Sequence, residues 1–452
     1  MMHRRPTLIG LAAVAALALP LTGPDVTFGK AVNLRPEASA RTLIPLASIA
    51  VEPGASARAS KDSTSPSARA GVMTGAEILL RDSLAVVRGK RVGLITNPTA
   101  VTRDGIHTID LLHGHPDVTV QALFAPEHGL RGGVDAGVKI GDGIDPVSGL
   151  PVRSLYGETM QPTPSMLRDI DVLMFDMLDI SARTYTYIWT MTLAMEAAAE
   201  AGIPFVVLDR PNPVTGRIGG PLPTLQGLRT GPRITGHYPV PFRHGMTPGE
   251  IARYVNEEYK VGVPLRVIPM EGWRRTDWYD ATGLPWVNPS PNIRSLEAAL
   301  NFSGLGSLEA TALSLGRGTP EPFTVIGAPW LNTSVLLGRL NEYRIPGVVF
   351  EATRFTPSGE GWMQFRGTSV PGIRITIADR DQYDPSYVAL VMLTEIYRLH
   401  PRQVGMNSMK HVLDDWTTEE IRRGVEPARI AERWAADARA WEARTAGYRL
   451  YD

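Results

Sequence analysis

From residue 74 onward the apolar positions Ala76, Leu79, Leu80, Leu84 and Val87 recur at helical spacing. Thr74, with Glu77 three residues on, forms a capping box at the start, and Gly89 supplies the stop. The period then changes. Residues 91–96 (RVGLIT) are a short apolar run closed by Asn97-Pro98 and predict a buried strand. Residues 118–124, 171–176 and 205–209 predict three more strands. Helices are expected over 108–113 and through Met191, Leu193, Met195, Ala198 and Ala199 to Gly202. Short apolar strands alternating with helices give an α/β fold with a parallel sheet of the doubly wound type.

Past Pro211 the pattern loosens. Thr247 and Glu250 cap a helix, 265–268 is a strand, and the rings Trp273, Trp278, Tyr279 and Trp286 fall among prolines and glycines. Aromatic faces at such irregular positions either stack on sugar rings or staple the loop to the core. Residues 305–319 read as strand and loop. A boundary near Asn332 closes a first domain over 72–332. A strand (372–377), a helix (385–399) and a helical pair (417–446) predict a smaller C-terminal α+β domain over 333–452.

The N-terminus has a different character. His3, Arg4 and Arg5 precede the apolar run 8–21, which is short for a membrane span and suits a signal peptide over 1–23. An uncleaved anchor is the alternative, since no clean Ala-x-Ala site follows. Residues 24–71, rich in Ser, Ala, Pro and Arg, read as a disordered linker. A periplasmic or secreted protein is expected, with no stable membrane span once the signal is removed.

Composition narrows the chemistry. With 46 basic and 46 acidic residues the net charge is zero, so no electrostatic case exists for nucleic acid. Cysteine is absent, which excludes disulfides, thiolate metal sites and thiol catalysis. No Gly-x-Gly-x-x-Gly follows the first strand, and neither a Walker A sequence nor a Gly-x-Ser-x-Gly elbow occurs. What remains is acid/base work by carboxylates.

The acids sit where such work is done. Glu127 and His128 follow the second strand in LFAPEHGLRG, Asp176 and Asp179 the third, and Asp209 the fourth. Arg131, Arg183 and Arg210 accompany them, and in a parallel sheet these strand ends share one edge. The plainer alternative is that the acids cap loops or pair with those arginines. A metal held by Glu127, His128 and Asp176 is a further, weaker alternative. The Gly- and Asp-rich loop 129–149 is long for a strand-to-helix connection and suits a lid or binding loop.

The blocks LITNPTAV, LFAPEHGLRG, GLPVRSLYG, FDMLDISARTYTYI, VLDRPNP, HGMTPGE, GLPWVNPSPN, GRGTPEPF and IGAPW occur in this order. Together they resemble the signature blocks of the NamZ-type exo-β-N-acetylmuramidase family, the YbbC-like proteins. The resemblance implies a Rossmann-like N-terminal domain, a smaller C-terminal domain and a cleft between them. It implies release of N-acetylmuramic acid from the non-reducing ends of peptidoglycan fragments, with amino-sugar oligosaccharides as partners and neither cofactor nor metal. The PEHG glutamate, Glu127, becomes the leading catalytic candidate and general acid. His128, Asp176, Asp209 and Glu309 are its candidate helpers. Arg131, Asp179, Arg183, Tyr185, Tyr187, Arg210, Asn212, His244 and Arg317 fall at matching motif positions as candidate substrate-binding residues. Among the arginines, Arg183, Arg210 and Arg317 suit the lactyl carboxylate of muramic acid. The chain departs from the family pattern at Leu178, Gly219, Ala312 and Leu315, where polar residues or glutamate are usual. These departures raise the alternative of a carbohydrate-binding relative with lost or altered activity.

Overall fold

The computed structural model describes residues 71–452 apart from 133, 135–136, 229–234 and 407–408. The signal peptide expected over 1–23, and the linker over 24–71 except Gly71, lie outside the described residues. A seven-stranded sheet organises the first half of the fold. Its strands are β1 (Arg91–Thr96), β2 (Thr119–Ala125), β3 (Gly143–Ile144), β4 (Pro151–Ser154), β5 (Val172–Asp176), β6 (Phe205–Leu208) and β7 (Leu265–Ile268). The spatial order is β3-β4-β2-β1-β5-β6-β7, parallel throughout except for the short edge strand β3. This is the expected α/β architecture.

Alternation along the strands divides the core in two. Val92, Leu94, Val172, Met174, Val206 and Leu208 pack on one face, against the helices Gly75–Asp82 and Thr108–His113. Ile95, Phe124, Leu173, Phe175, Phe205 and Val207 pack on the other, against Tyr187–Ala201 and Pro248–Glu258. Gly93 lets the sheet close up, since a Cβ there would stand 2.9 Å from the Phe124 ring and 3.0 Å from Leu173.

The second core continues without a break into a smaller three-stranded antiparallel sheet. It is built from β8 (Val325–Gly327), β9 (Val348–Phe355) and β10 (Val370–Ile377) in the order β8-β10-β9. Helix Leu296–Leu305 crosses helix Pro385–Leu399 closely, for a Cβ on Gly304 would lie 2.1 Å from the Pro385 carbonyl carbon. The strand-and-loop reading of 305–319 is corrected here: the segment opens with a 3₁₀ turn, Gly306–Ala310, that prolongs this helix. The helix itself carries no polar stripe, because Ala298 through Leu305 are all buried. Among the described residues no helix is long and apolar enough to cross a membrane.

Candidate active site

Where β2 ends, Pro126-Glu127-His128-Gly129 makes a tight turn closed by the Gly129 N–H donating to the Pro126 carbonyl at 3.0 Å. His128 takes the left-handed conformation at φ 69°, a strained choice for a residue with a side chain. Its Nδ1–H donates to the Val134 carbonyl at 2.7 Å, which ties the turn to the following loop. The turn delivers Glu127 into a cavity of about 180 Å³.

Several other segments wall this cavity, those of Tyr156, Thr235 and Phe302 among them. Thr184, Tyr185 and Thr186 come from the approach to helix Tyr187–Ala201, and Ser290 and Ile293 from the loop before helix Leu296–Leu305. Glu309, Arg317 and Phe323 come from the turns after that helix. Glu127 is 9% exposed. One carboxylate oxygen accepts from the Gly137 N–H at 3.0 Å and the other from the Thr186 hydroxyl at 2.9 Å. Thr186 is the N-cap residue of helix Tyr187–Ala201, yet its hydroxyl makes no cap bond and turns to Glu127 instead. The positive end of that helix dipole therefore faces the acid. Burial, together with the charge and hydrogen bond of Glu127, pushes the Tyr156 phenol up to about 12, so it stays a neutral donor at physiological pH.

Glu309 meets a different partner. The Arg317 guanidinium donates to it through Nε and lies 5.0 Å over the Phe323 ring. Burial works against the arginine's charge, but the Glu309 carboxylate more than restores it, and the Arg317 pKa is raised. One cavity thus holds two carboxyls in unlike settings: Glu127 among neutral donors, Glu309 pinned by a cation.

Of the sequence candidates, Glu127, His128, Tyr185, Glu309 and Arg317 line the cavity. The other nine do not. Asp176, fully buried, pairs with Arg210, whose Nη2 donates at 3.0 Å, and also accepts from the Thr108 hydroxyl at 2.6 Å. Alternation explains this placement. Leu173 and Phe175 face the core that includes the cavity's Tyr185 and Phe302, so Asp176 points to the opposite face of the sheet.

Asp209 is enclosed by the Gly249 N–H (2.8 Å), the Thr247 hydroxyl (2.7 Å) and the Tyr451 phenol (2.6 Å). Asp179 caps its own turn through the Ser181 N–H at 2.6 Å and holds His244 Nε2 at 3.1 Å. Buried Arg183 donates to the Leu413 carbonyl at 3.3 Å, and Asn212 braces the Val214 N–H at 3.1 Å. Tyr187 donates to the Pro289 carbonyl behind the cavity and meets the Tyr185 ring edge-on at 4.8 Å. Arg131 forks onto Asp145 within the loop that follows the PEHG turn, at 2.9 and 2.7 Å. These residues build the frame rather than the cavity surface.

The aromatic run and the departures from the family pattern can also be placed. Trp273, Trp278 and Tyr279 are buried, two of them in a small cluster with Leu178 and Met270, so they staple the loop and offer no face to a sugar. None of the departures Leu178, Gly219, Ala312 and Leu315 lines the cavity: Leu178 and Leu315 are core residues, Gly219 meets Ser386, and the Ala312 N–H bonds the Val404 carbonyl. Conversely, Tyr156, Thr184, Thr186 and Ser290 were not singled out, although each sits inside a recognised block. Among the described residues no three potential metal ligands converge.

Comparison with known proteins agrees along nearly the whole described chain. Residues 92–297 match the family model for the N-terminal part of exo-β-N-acetylmuramidase NamZ, and residues 300–451 match its C-terminal part. The chain is 39% identical over 401 residues to peptidoglycan β-N-acetylmuramidase NamZ of Bacillus subtilis (strain 168), covering 87% of this chain and 95% of that protein. Two crystal structures of DUF1343 family proteins from Bacteroides fragilis NCTC 9343 share the fold. One has a TM-score of 0.76 at 34% identity over 86% of this chain and all of its own; the other has 0.67 at 26%, over 85% and 99%.

Proposed function

The chain belongs to the NamZ exo-β-N-acetylmuramidase family, and from that premise we propose that it hydrolyses the glycosidic bond of terminal N-acetylmuramic acid in peptidoglycan fragments. The observation that carries this reading is the pair of unlike carboxyls, Glu127 and Glu309, in one cavity with Arg317. Glycosidases divide the work between two such groups. Glu127 protonates the glycosidic oxygen as the bond from the anomeric carbon breaks. Thr186 and Gly137 fix the direction of its oxygens, and Tyr156 holds a neutral donor beside it. Glu309, hydrogen-bonded by Arg317, stabilises the positive charge that builds on the sugar ring and takes the proton of the incoming water. Arg317 is also the cavity's candidate for the lactyl carboxylate, a role Arg183 and Arg210 have no free face to fill.

The experiment is Glu127→Gln and Glu309→Gln assayed on a chromogenic N-acetylmuramic acid glycoside. Loss of about 10²- to 10⁴-fold in kcat is expected for Glu127→Gln. Wild-type turnover in either variant removes that residue from the mechanism. The reading as a binding protein without turnover loses its main support, because the four departures stand outside the cavity. We further propose a periplasmic or secreted location, supported by the basic start and apolar run of residues 1–23. Cell fractionation with an antibody to the folded part tests it, and a cytoplasmic signal would end that proposal.

A further inference from the structure

Trp362 is a large aromatic side chain left 55% exposed, and it stands beside the cavity. Arg317 connects the two. Its guanidinium lies 5.0 Å over Phe323, a wall of the cavity, and 6.0 Å from the Trp362 ring outside it. Trp362 in turn lines a second hollow of about 300 Å³.

The two hollows are lined by sequence neighbours. Ser290, Ile293 and Arg317 face the cavity, whereas Asn292, Arg294 and Gly318, their neighbours in sequence, face the second hollow. The same two segments thus contribute to both hollows. The loop bearing the tryptophan is also tied down. The Ser358 N–H donates to the Gly318 carbonyl at 2.9 Å, and the Gln364 side chain donates to the Thr311 carbonyl at 2.9 Å. Gly318, at φ 78°, permits this contact, because a Cβ there would stand 2.6 Å from the Ser358 carbonyl oxygen and 2.5 Å from the Met363 sulfur. An exposed indole in a hollow that an amide and a guanidinium also line is the chemistry that receives a pyranose ring.

We infer that Trp362, with Asn292 and Arg294 across the hollow, binds the sugar on the leaving-group side of the scissile bond. That sugar is the N-acetylglucosamine joined to the terminal muramic acid. The inference rests on the proposed function, which puts the terminal sugar beside Glu127 and Glu309. The rest of the fragment must then leave by the open side.

The test compares two substrates of the wild-type chain, Trp362→Ala and Trp362→Phe. One is the disaccharide of N-acetylmuramic acid joined to N-acetylglucosamine. The other is the methyl β-glycoside of N-acetylmuramic acid, whose leaving group is too small to reach Trp362. For Trp362→Ala, kcat/KM on the disaccharide falls about tenfold further than on the methyl glycoside, equivalent to about 1.4 kcal/mol of transition-state binding. Trp362→Phe keeps most of the difference. Equal losses on both substrates, or no loss on either, overturn the inference while leaving the muramidase reading intact. A wild-type chain that hydrolyses neither substrate strikes the muramidase reading itself, and the inference with it.

Discussion

Asp176, the last residue of β5, and Glu127, just past the end of β2, are both buried acids, and exchanging each for its amide separates a framing acid from a reacting one. Every charged contact of Asp176 is internal. Its two oxygens take Arg210 Nε, Arg210 Nη2 at 3.0 Å and the Thr108 hydroxyl at 2.6 Å, while Arg210 Nη1 donates to the Val101 carbonyl at 2.8 Å. In Asp176→Asn the guanidinium loses its counter-charge while only 1% exposed, and an amide NH₂ faces donors. Removing one partner of a buried pair costs about 3–5 kcal/mol. With a urea slope of about 3 kcal/mol per molar, the unfolding midpoint falls by about 1 to 1.7 M. Molecules still folded below the transition turn over substrate within about twofold of wild type, an allowance for small positional effects. Glu127→Gln does the reverse: stability shifts by about 1 kcal/mol, the scale of one ordinary hydrogen bond, and turnover collapses. Circular dichroism across a urea series, paired with initial rates at zero urea, reads both quantities. An Asp176→Asn chain with a wild-type midpoint and no activity would refute the reasoning and return Asp176 to the reacting groups.

Other expectations follow from the same contacts. Arg317→Lys removes the planar fork and lowers kcat/KM on the muramic acid glycoside by about 10- to 100-fold, the range for losing one charged contact; an unchanged value assigns the lactyl carboxylate elsewhere. At His128 the left-handed backbone makes Gly the better replacement, so His128→Gly is more stable than His128→Ala by about 1 kcal/mol in urea; the opposite ranking contradicts the strain. Burial raises the Asp209 pKa from the ordinary 3.8 to about 7, against the pull of Tyr451, Gly249 and Thr247. The folded chain then keeps a proton that the unfolded chain has released. Its stabilising effect is full below the unfolded value and lost as pH rises through about 7. Tyr451→Phe removes one donor to the carboxylate and moves that loss to higher pH, which urea midpoints from about pH 4 to 9 report. Superimposable profiles for the two chains would dissociate Tyr451 from Asp209.

Five of the six parallel strands were legible because each is a short, mostly apolar run between turn residues, and all five stand within about a residue of their expected bounds; β4 (Pro151–Ser154) carries no such run. Helix Leu296–Leu305 was not, since burial on all sides removes the polar face that would reveal its period. The site was half legible. Glu127 and Glu309 were among the acids, but proximity to a strand end treated Asp176 and Asp209 as their equals. The two-residue repeat of side chains along β5 fixes the face of Asp176, and counting from Phe175 would have sent it away from the cavity. For Asp209 no local signal existed: its phenol partner is 242 residues away.

That distance bears on whether the chain can be divided. Matches to separate N- and C-terminal family models invite a cut near residue 299. Yet the first half keeps Asp209 and Glu250 inside it, and the second half satisfies them through the Tyr451 phenol and the Leu450 N–H, the latter donating at 2.8 Å. The Arg275 N–H likewise gives its hydrogen bond to the Asp452 carbonyl at 2.8 Å. A fragment ending near residue 299 therefore carries two interior carboxylates that have each lost a donor, although Thr247, Gly249 and Arg275 remain, and it is expected to fold poorly alone. Supplied in trans, a peptide reproducing residues 440–452 restores those donors, so the two halves behave as pieces to be complemented rather than as modules to be exchanged.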